Sequence, residues 1–303
     1  MSIPVKPMLC TPQKEMYLDK FSDEWSSEVK YDGERIIAEK KDGDIYLWTR
    51  RENEVSVKFP ELVAGLAGAM PRTDWVIDGE LTVDGGFEKV LKRNTNDSIA
   101  IKVLARDLPA TLHVFDLIKT KEYLLLNNAT LEHRREILDA MVNKNANVEI
   151  AHRSKGTRAK QLFQMVTIKD GEGVVVKKLD SKYVSGFRSP YWFKIKKFET
   201  VDVEVIGCTE CTTGAFPFGS LVIARDGKYY GKVGTGFTNK GRKEIIGTVS
   251  ANPDKKDFSR WEVPADVKSE MMRVCSPLPA EIKMLEECST GKPRHPVWVR
   301  WRT

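Results

Sequence analysis

A long apolar run is the first thing missing from this 303-residue sequence. No stretch approaches the ~18 consecutive apolar residues of a membrane-spanning helix. Residues 1–10 hold Pro4, Lys6 and Pro7 without a continuous apolar run, so neither a secretory signal nor an anchor is expected and the protein is placed inside a cell, in the cytoplasm. Cysteine is scarce: five residues, at 10, 208, 211, 275 and 288, an odd number that fits no disulfide framework. Cys208-Thr209-Glu210-Cys211 has the spacing of half a zinc site. Cys275 and Cys288 are too far apart to supply the other half, so reduced thiols packed as small apolar residues are expected. His113, His133, His152 and His295 show no metal spacing, and internal repeats and low-complexity tracts are lacking.

Charge of one sign is also in short supply. The 49 Lys+Arg face 43 Asp+Glu for a formal net charge of +6, and the excess is spread over both halves. Bulk charge therefore permits a nucleic-acid partner without demanding one. Basic groups do cluster at Lys89, Lys92 and Arg93; at Arg153, Lys155, Arg158 and Lys160; at Lys194, Lys196 and Lys197; and at Lys240, Arg242 and Lys243. Taken singly, each is ordinary solvated surface. With 41% apolar and 30% charged residues the chain is no disordered tail, and two domains are expected.

Residues 28–41 alternate around Val29, Ile36 and Ile37, turn at Asp42-Gly43-Asp44 and resume at Ile45-Tyr46-Leu47-Trp48, which predicts a hairpin. Pro60 opens a helix carrying Leu62, Val63, Leu66 and Ala67. Trp75-Val76-Ile77 and Leu112-His113-Val114-Phe115 read as buried strands, with residues 86–109 between them mostly loop. Thr130 and Thr157 are candidate caps for two further helices. Gly171 ends the second, Gly173-Val174-Val175-Val176 forms a strand, and Trp192 to Lys196 alternates apolar with basic. This front half is mixed α and β. From Val201 onward short strands separated by glycine turns, at residues 201–206, 220–224, 229–233 and 296–301, with a helix over 239–249, suit a small five-stranded Greek-key barrel of the OB type. The boundary is placed at Phe198-Glu199, giving domains 1–198 and 199–303.

Chemistry gathers at what read as strand ends. Lys30-Tyr31-Asp32-Gly33-Glu34-Arg35 is followed by Asp78-Gly79-Glu80-Leu81, Phe115-Asp116, Glu172-Gly173 and Lys194-Ile195-Lys196. Lysine is a nucleophile only when its amine is neutral, against an ordinary pKa of ~10.4. Carboxylates that hold a divalent cation and lysines that neutralise phosphate oxygens, set out in this order, imply one phosphate-handling pocket.

In this ordered set the sequence resembles the ATP-dependent DNA ligases, covalent nucleotidyltransferases related to mRNA capping enzymes and RNA ligases, over nearly its whole length. The closest likeness is to small two-domain ligases and the ligase modules of bacterial end-joining proteins. The resemblance implies an α+β nucleotidyltransferase domain of antiparallel sheets with flanking helices, followed by an all-β OB-fold domain. It implies Lys30 as the lysine that carries AMP, with Asp32 in the same motif, and Glu28 at the adenine edge. Arg35 and Arg50 fall near the ribose and the nick phosphate, Phe115 on the adenine face, and Arg188 on a phosphate. Glu80 falls on ribose and metal, Glu172 on metal, and Lys194 and Lys196 on the α-phosphate. Arg300 and Arg302 match the motif that orients pyrophosphate. Many relatives continue there with an acidic residue and a lysine, whereas this sequence stops at Thr303, so less efficient charging of Lys30 is expected unless Arg300 and Arg302 suffice.

The implied cofactors are ATP and magnesium, with manganese as a substitute, and the implied partner is nicked duplex DNA bound by a monomer. Lys89, Lys92, Arg93, Lys102 and Arg106 are candidates for contact with the DNA backbone. A capping guanylyltransferase is the rival within the enzyme class, and a non-catalytic nucleic-acid-binding OB protein the rival outside it.

Overall fold

The computed structural model describes residues 5–121, 128–254, 258–288 and 290–302; residues 1–4 of the amino-terminal stretch read above and Thr303 lie outside them. The chain divides into two compact units, Met1–Lys196 and Lys197–Thr303. Among the described residues no helix is long and apolar enough to cross a membrane.

The first unit runs β1 (Leu9–Pro12), β2 (Trp25–Val29), β3 (Glu34–Lys41), β4 (Asp44–Thr49), α1 (Pro60–Ala69), β5 (Trp75–Val83), α2 (Phe87–Arg93), α3 (Ser98–Asp107), β6 (Ala110–Thr120), α4 (Leu131–Met141), β7 (Val148–Ile150), β8 (Arg153–Lys155), α5 (Ala159–Ile168), β9 (Gly173–Lys178) and β10 (Arg188–Lys196). The strands form two five-stranded sheets, ordered β1-β10-β9-β2-β8 and β4-β3-β5-β6-β7. In the first, β1 lies parallel to β10 with Leu9 opposite Arg188 and Pro12 opposite Lys194.

Side-chain alternation along these strands sets the layers. Ile36, Ala38, Trp75, Ile77, Leu112 and Val114 pack with Leu62 and Leu66 of α1, while Ile37, Val76 and Ile118 point the other way and meet Met8, Tyr183 and Trp192. On the far side of the first sheet Val174, Val176 and Ile195 cover Ala159 and Phe163 of α5. The result is helix, sheet, sheet, helix, with an apolar cluster and buried charged side chains such as Glu28, Asp78 and Lys177 between the sheets. Each fully buried Leu or Ile in these layers contributes about 1.5–3 kcal/mol.

Three expectations change. The run over 28–41 is not one strand, because β2 ends at Val29 in one sheet and β3 starts at Glu34 in the other. Gly33 lies in the link between them and is packed too closely for a side chain: a Cβ there would lie 2.0 Å from the Leu81 carbonyl oxygen. The hairpin itself is β3–β4, turned by Asp42 and Gly43 at φ 54° and 98°. Residues 86–109 hold α2 and α3 rather than mostly loop, and the Asp97 carboxylate caps α3 by accepting from the N–H groups of Ile99 and Ala100 at 2.8 and 3.0 Å. Thr130 caps α4, but Thr157 does not cap α5; its hydroxyl donates to Asp23 Oδ1 at 2.7 Å.

The second unit comprises β11 (Glu199–Thr209), β12 (Leu221–Arg225), β13 (Lys228–Val233), α6 (Asn239–Ala251), α7 (Ala265–Glu270), β14 (Met271–Met284) and β15 (Val297–Trp301). Its sheet is ordered β13-β12-β11-β14-β15. The sequence reading missed β14, which pairs with β11 along most of its length; Pro277 and Pro279 mask its pattern. Cys208 and Cys275 are fully buried with Val205, Ile223 and Ile282, and all five cysteines are free thiols.

Candidate active site

A cleft of about 190 Å³ opens between the two sheets of the first unit. Lys30 sits directly after β2, its N–H bonded to the Gly173 carbonyl at 2.9 Å. Its Nζ donates to Glu172 Oε2 at 2.5 Å, and the other oxygen of Glu172 is held by Lys196 Nζ. Gly173 makes this convergence possible. It lies opposite Lys196 in the β9–β10 ladder at φ 139°, and a Cβ there would stand 2.1 Å from the Ile195 carbonyl oxygen.

Lys194 is half-buried on the same face. Burial lowers its amine pKa, and the charges of Lys196 and Lys30 lower it further. Glu80 projects from the middle of β5, not from its end. Its pKa is pushed up to about 7, chiefly by burial; Lys30 and Arg35 pull against this while Glu172 and Asp78 add to it. Asp32 follows in the same turn as Lys30 and is partly buried.

Arg35 grips Asp78 with two hydrogen bonds, Nε to Oδ1 at 2.5 Å and Nη2 to Oδ2 at 2.7 Å. Tyr183 donates to Asp78 Oδ2 at 2.6 Å and accepts from the Met8 N–H at 3.0 Å, tying the chain before β1 to the site. Burial, with the Asp78 charge behind it, drives the Tyr183 phenol well above its ordinary range.

Phe115 is buried near the middle of β6, with the Arg35 guanidinium 4.5 Å and Lys177 Nζ 4.2 Å from its ring centroid. Lys177 also stands 4.4 Å from the Trp192 ring and donates to Glu28 Oε2 at 2.6 Å. Glu28 Oε1 is buried and, among the described residues, accepts no hydrogen bond. At the rim Arg50 is exposed, and exposed Arg188 donates to the Cys10 carbonyl at 2.5 Å. Tyr31 lies flat on His113 with ring centroids 3.8 Å apart, and His113 Nε2 is 2.9 Å from the Thr82 hydroxyl.

Eleven sequence candidates therefore belong to this unit: Glu28, Lys30, Asp32, Arg35, Arg50, Glu80, Phe115, Glu172, Arg188, Lys194 and Lys196. Arg300 and Arg302 belong to the second unit. There Arg300 Nε donates to Glu281 Oε2 and Arg302 Nε to Asp202 Oδ1, each at 2.7 Å. Among the described residues no cluster of three or more His, Cys, Asp or Glu forms a ready metal cage. Arg93, expected on a DNA-facing surface, is instead fully buried. It pairs with Glu61 at 2.8 Å and donates to the carbonyls of Leu108 and Lys58, both at 2.9 Å.

Lys177, Tyr183 and Arg135 escaped the sequence reading, while Asp78 and Trp192 stood in its motifs without a role of their own. Two left a signal. Lys177 continues the parity of Val175 along a buried strand, and Arg135 shares the i, i+4, i+7 row of Leu131 and Leu138 on α4.

Two sheets closing on a cleft of lysines, arginines and carboxylates define a ligase fold of the nucleotidyltransferase type. The sequence profile of the family described as "ATP dependent DNA ligase domain" matches residues 7–196, and the chain belongs to that family. It is 30% identical to the DNA ligase of Thermococcus fumicolans over 264 residues, 80% of this chain and 46% of the relative. It is likewise 30% identical to the DNA ligase of Methanothermobacter thermautotrophicus over 226 residues, 68% of this chain and 38% of the relative. The chain thus spans less than half the length of these curated relatives. Among solved structures, the ligase domain of M. tuberculosis LigD matches with a TM-score of 0.54 and 25% identity, covering 98% of this chain and 95% of that one.

Proposed function

We propose that the chain is an ATP-dependent DNA ligase that seals a nick between a 5′-phosphate and a 3′-hydroxyl in duplex DNA. The observation that carries this reading is the convergence of Lys30 and Lys196 on Glu172, with Lys194 and Glu80 close by. Lys30 Nζ attacks the α-phosphorus of ATP; a nitrogen–phosphorus bond forms and the bond to pyrophosphate breaks. The amine must lose a proton first, and Glu172 Oε2 at 2.5 Å is the acceptor placed to take it. Lys194 and Lys196 neutralise charge on the phosphate oxygens in the transition state. AMP then passes from Lys30 to the 5′-phosphate of the nick, and the 3′-hydroxyl displaces it. Glu80 on the cleft wall and Glu172 beside Lys30 are the oxygen donors that would hold magnesium or manganese, and such an ion would stabilise the same developing charge.

For the base, Phe115 offers the stacking face. Glu28 Oε1 is an unused acceptor beside the Lys177 donor, which complements the amine and N1 of adenine. Guanine presents the opposite pair, and this counts against a capping guanylyltransferase. Arg35, Arg50 and Arg188 are assigned to ribose, nick phosphate and nucleotide phosphate, and Arg300 and Arg302 to pyrophosphate. The second unit, with its five-stranded order and β11 at the centre, is assigned as an OB fold. Lys89, Lys92, Lys102 and Arg106 on α2 and α3 are assigned to the DNA backbone, and the enzyme is taken as a monomer.

Incubation with α-labelled ATP and magnesium tests the reading. A covalent adduct that moves to nicked DNA and yields sealed product is expected, and Lys30→Ala should form none. An adduct of undiminished yield on that variant overturns the assignment.

A further inference from the structure

Arg135 projects from α4 behind the cleft wall, with only 2% of its side chain exposed. Its Nη1 donates to the Phe115 carbonyl at 3.1 Å and its Nη2 to the Ala151 carbonyl at 2.7 Å. Two backbone anchors thus fix the planar guanidinium, and Asp139 Oδ1 lies 3.8 Å from Nη2 as a further charged neighbour. Its nearest approach to Glu28, Nη1 to Oε1, is 3.6 Å, too long for a hydrogen bond. Glu28 Oε2 is meanwhile taken by Lys177 at 2.6 Å, which leaves Oε1 buried, attracted by a cation and, among the described residues, without a donor.

We propose that Arg135 is a positioning residue for base selection: it aims Glu28 Oε1 at the 6-amino group of adenine and holds its own donors back so that this acceptor stays free. The inference rests on the ATP-dependent reading above and deepens it. A lysine at this position lacks the fork that engages both carbonyls. Its single mobile ammonium can close on Oε1 and use the acceptor that the base needs. The carbonyl of Phe115 is one of the two anchors, so the same side chain also couples the base-edge carboxylate to the strand that carries the stacking ring.

The test compares adduct formation by wild type and Arg135→Lys with ATP and with purine riboside triphosphate, the same nucleotide without its 6-amino group. Wild type should prefer ATP by about tenfold or more. Arg135→Lys should raise the KM for ATP by a similar factor with kcat little changed, and leave the analogue unaffected. A structural role alone would weaken both nucleotides equally, and that result overturns the proposal, as does a wild type indifferent to the amino group. Arg135→Gln, which keeps a donor for one carbonyl and loses the charge, gives the same comparison if the lysine variant does not fold. Absence of any ATP adduct in wild type would instead bring down the ligase reading together with this inference.

Discussion

Lys30 Nζ lies 2.5 Å from Glu172 Oε2, while the second oxygen of the same carboxylate holds Lys196. One carboxylate thus keeps two cations together that would otherwise repel. Replacing Glu172 by Ala should lower the rate of adduct formation by about 10²-fold or more. The measurement is a single-turnover time course with labelled ATP. An unchanged rate would remove Glu172 from the chemistry.

Glu80, raised to about 7 from an ordinary 4.5, gives a pH signature. Between those values the folded protein holds a proton that the unfolded chain has lost, so this group makes stability fall as pH rises from about 4.5 to 7 and level off above. Glu80→Gln should remove that component from a plot of Tm against pH. Magnesium favours the ionised carboxylate, so its stabilising effect on wild type should be larger at pH 8 than at pH 6, and Glu80→Gln should flatten the difference. A wild-type magnesium shift independent of pH would contradict this.

Arg93 and its lysine neighbours should separate cleanly. Arg93→Ala strands Glu61 and two carbonyls in the interior and should cost about 3 kcal/mol in denaturant unfolding. It should leave the salt dependence of nick binding unaltered. Neutralising Lys89, Lys92 and Lys102 should do the reverse, flattening the slope of log K against log salt with little change in Tm.

Gly33 tolerates no side chain at its present backbone position. Gly33→Ala places a methyl 2.0 Å from the Leu81 carbonyl oxygen and 3.2 Å from Glu80 Cγ. We expect a loss of about 2–4 kcal/mol and, in the fraction that folds, an adduct rate reduced further than for a mutation of equal cost in α1. Equal reductions would show that the site depends on Gly33 only through global stability.

Much of the site could be read from the sequence because its residues fall in short motifs with an ordered chemistry, as with Lys30, Glu80, Glu172 and Lys194. The layered first unit was partly legible too, since alternation along β3, β5 and β6 separates its two faces. What stayed hidden was tertiary. Nothing local distinguishes Arg93, buried and bonded to carbonyls, from Lys92, its exposed neighbour. Lys177 and Arg135 look like surface charges until Glu28 is brought to them from a distant strand. The helices α2 and α3 were obscured by polar composition, although Asp97 offered a capping signal two and three residues ahead of the N–H groups it accepts. In β14 two prolines hid a strand that its neighbours on both sides hold in place.

The parallel pairing of β1 with β10 bears on how this protein is made. Within this unit β1 has no partner until β10, the last strand of the unit, has emerged from the ribosome, so the nascent chain cannot finish the first sheet early. A chain halted before Arg188 lacks Lys194 and Lys196 and leaves the edge of β9 bare, a template for pairing with other unfinished chains. If the proposed ligand binds only the completed unit, ATP in the cell would act on newly made molecules by mass action, stabilising those whose first and last strands have met.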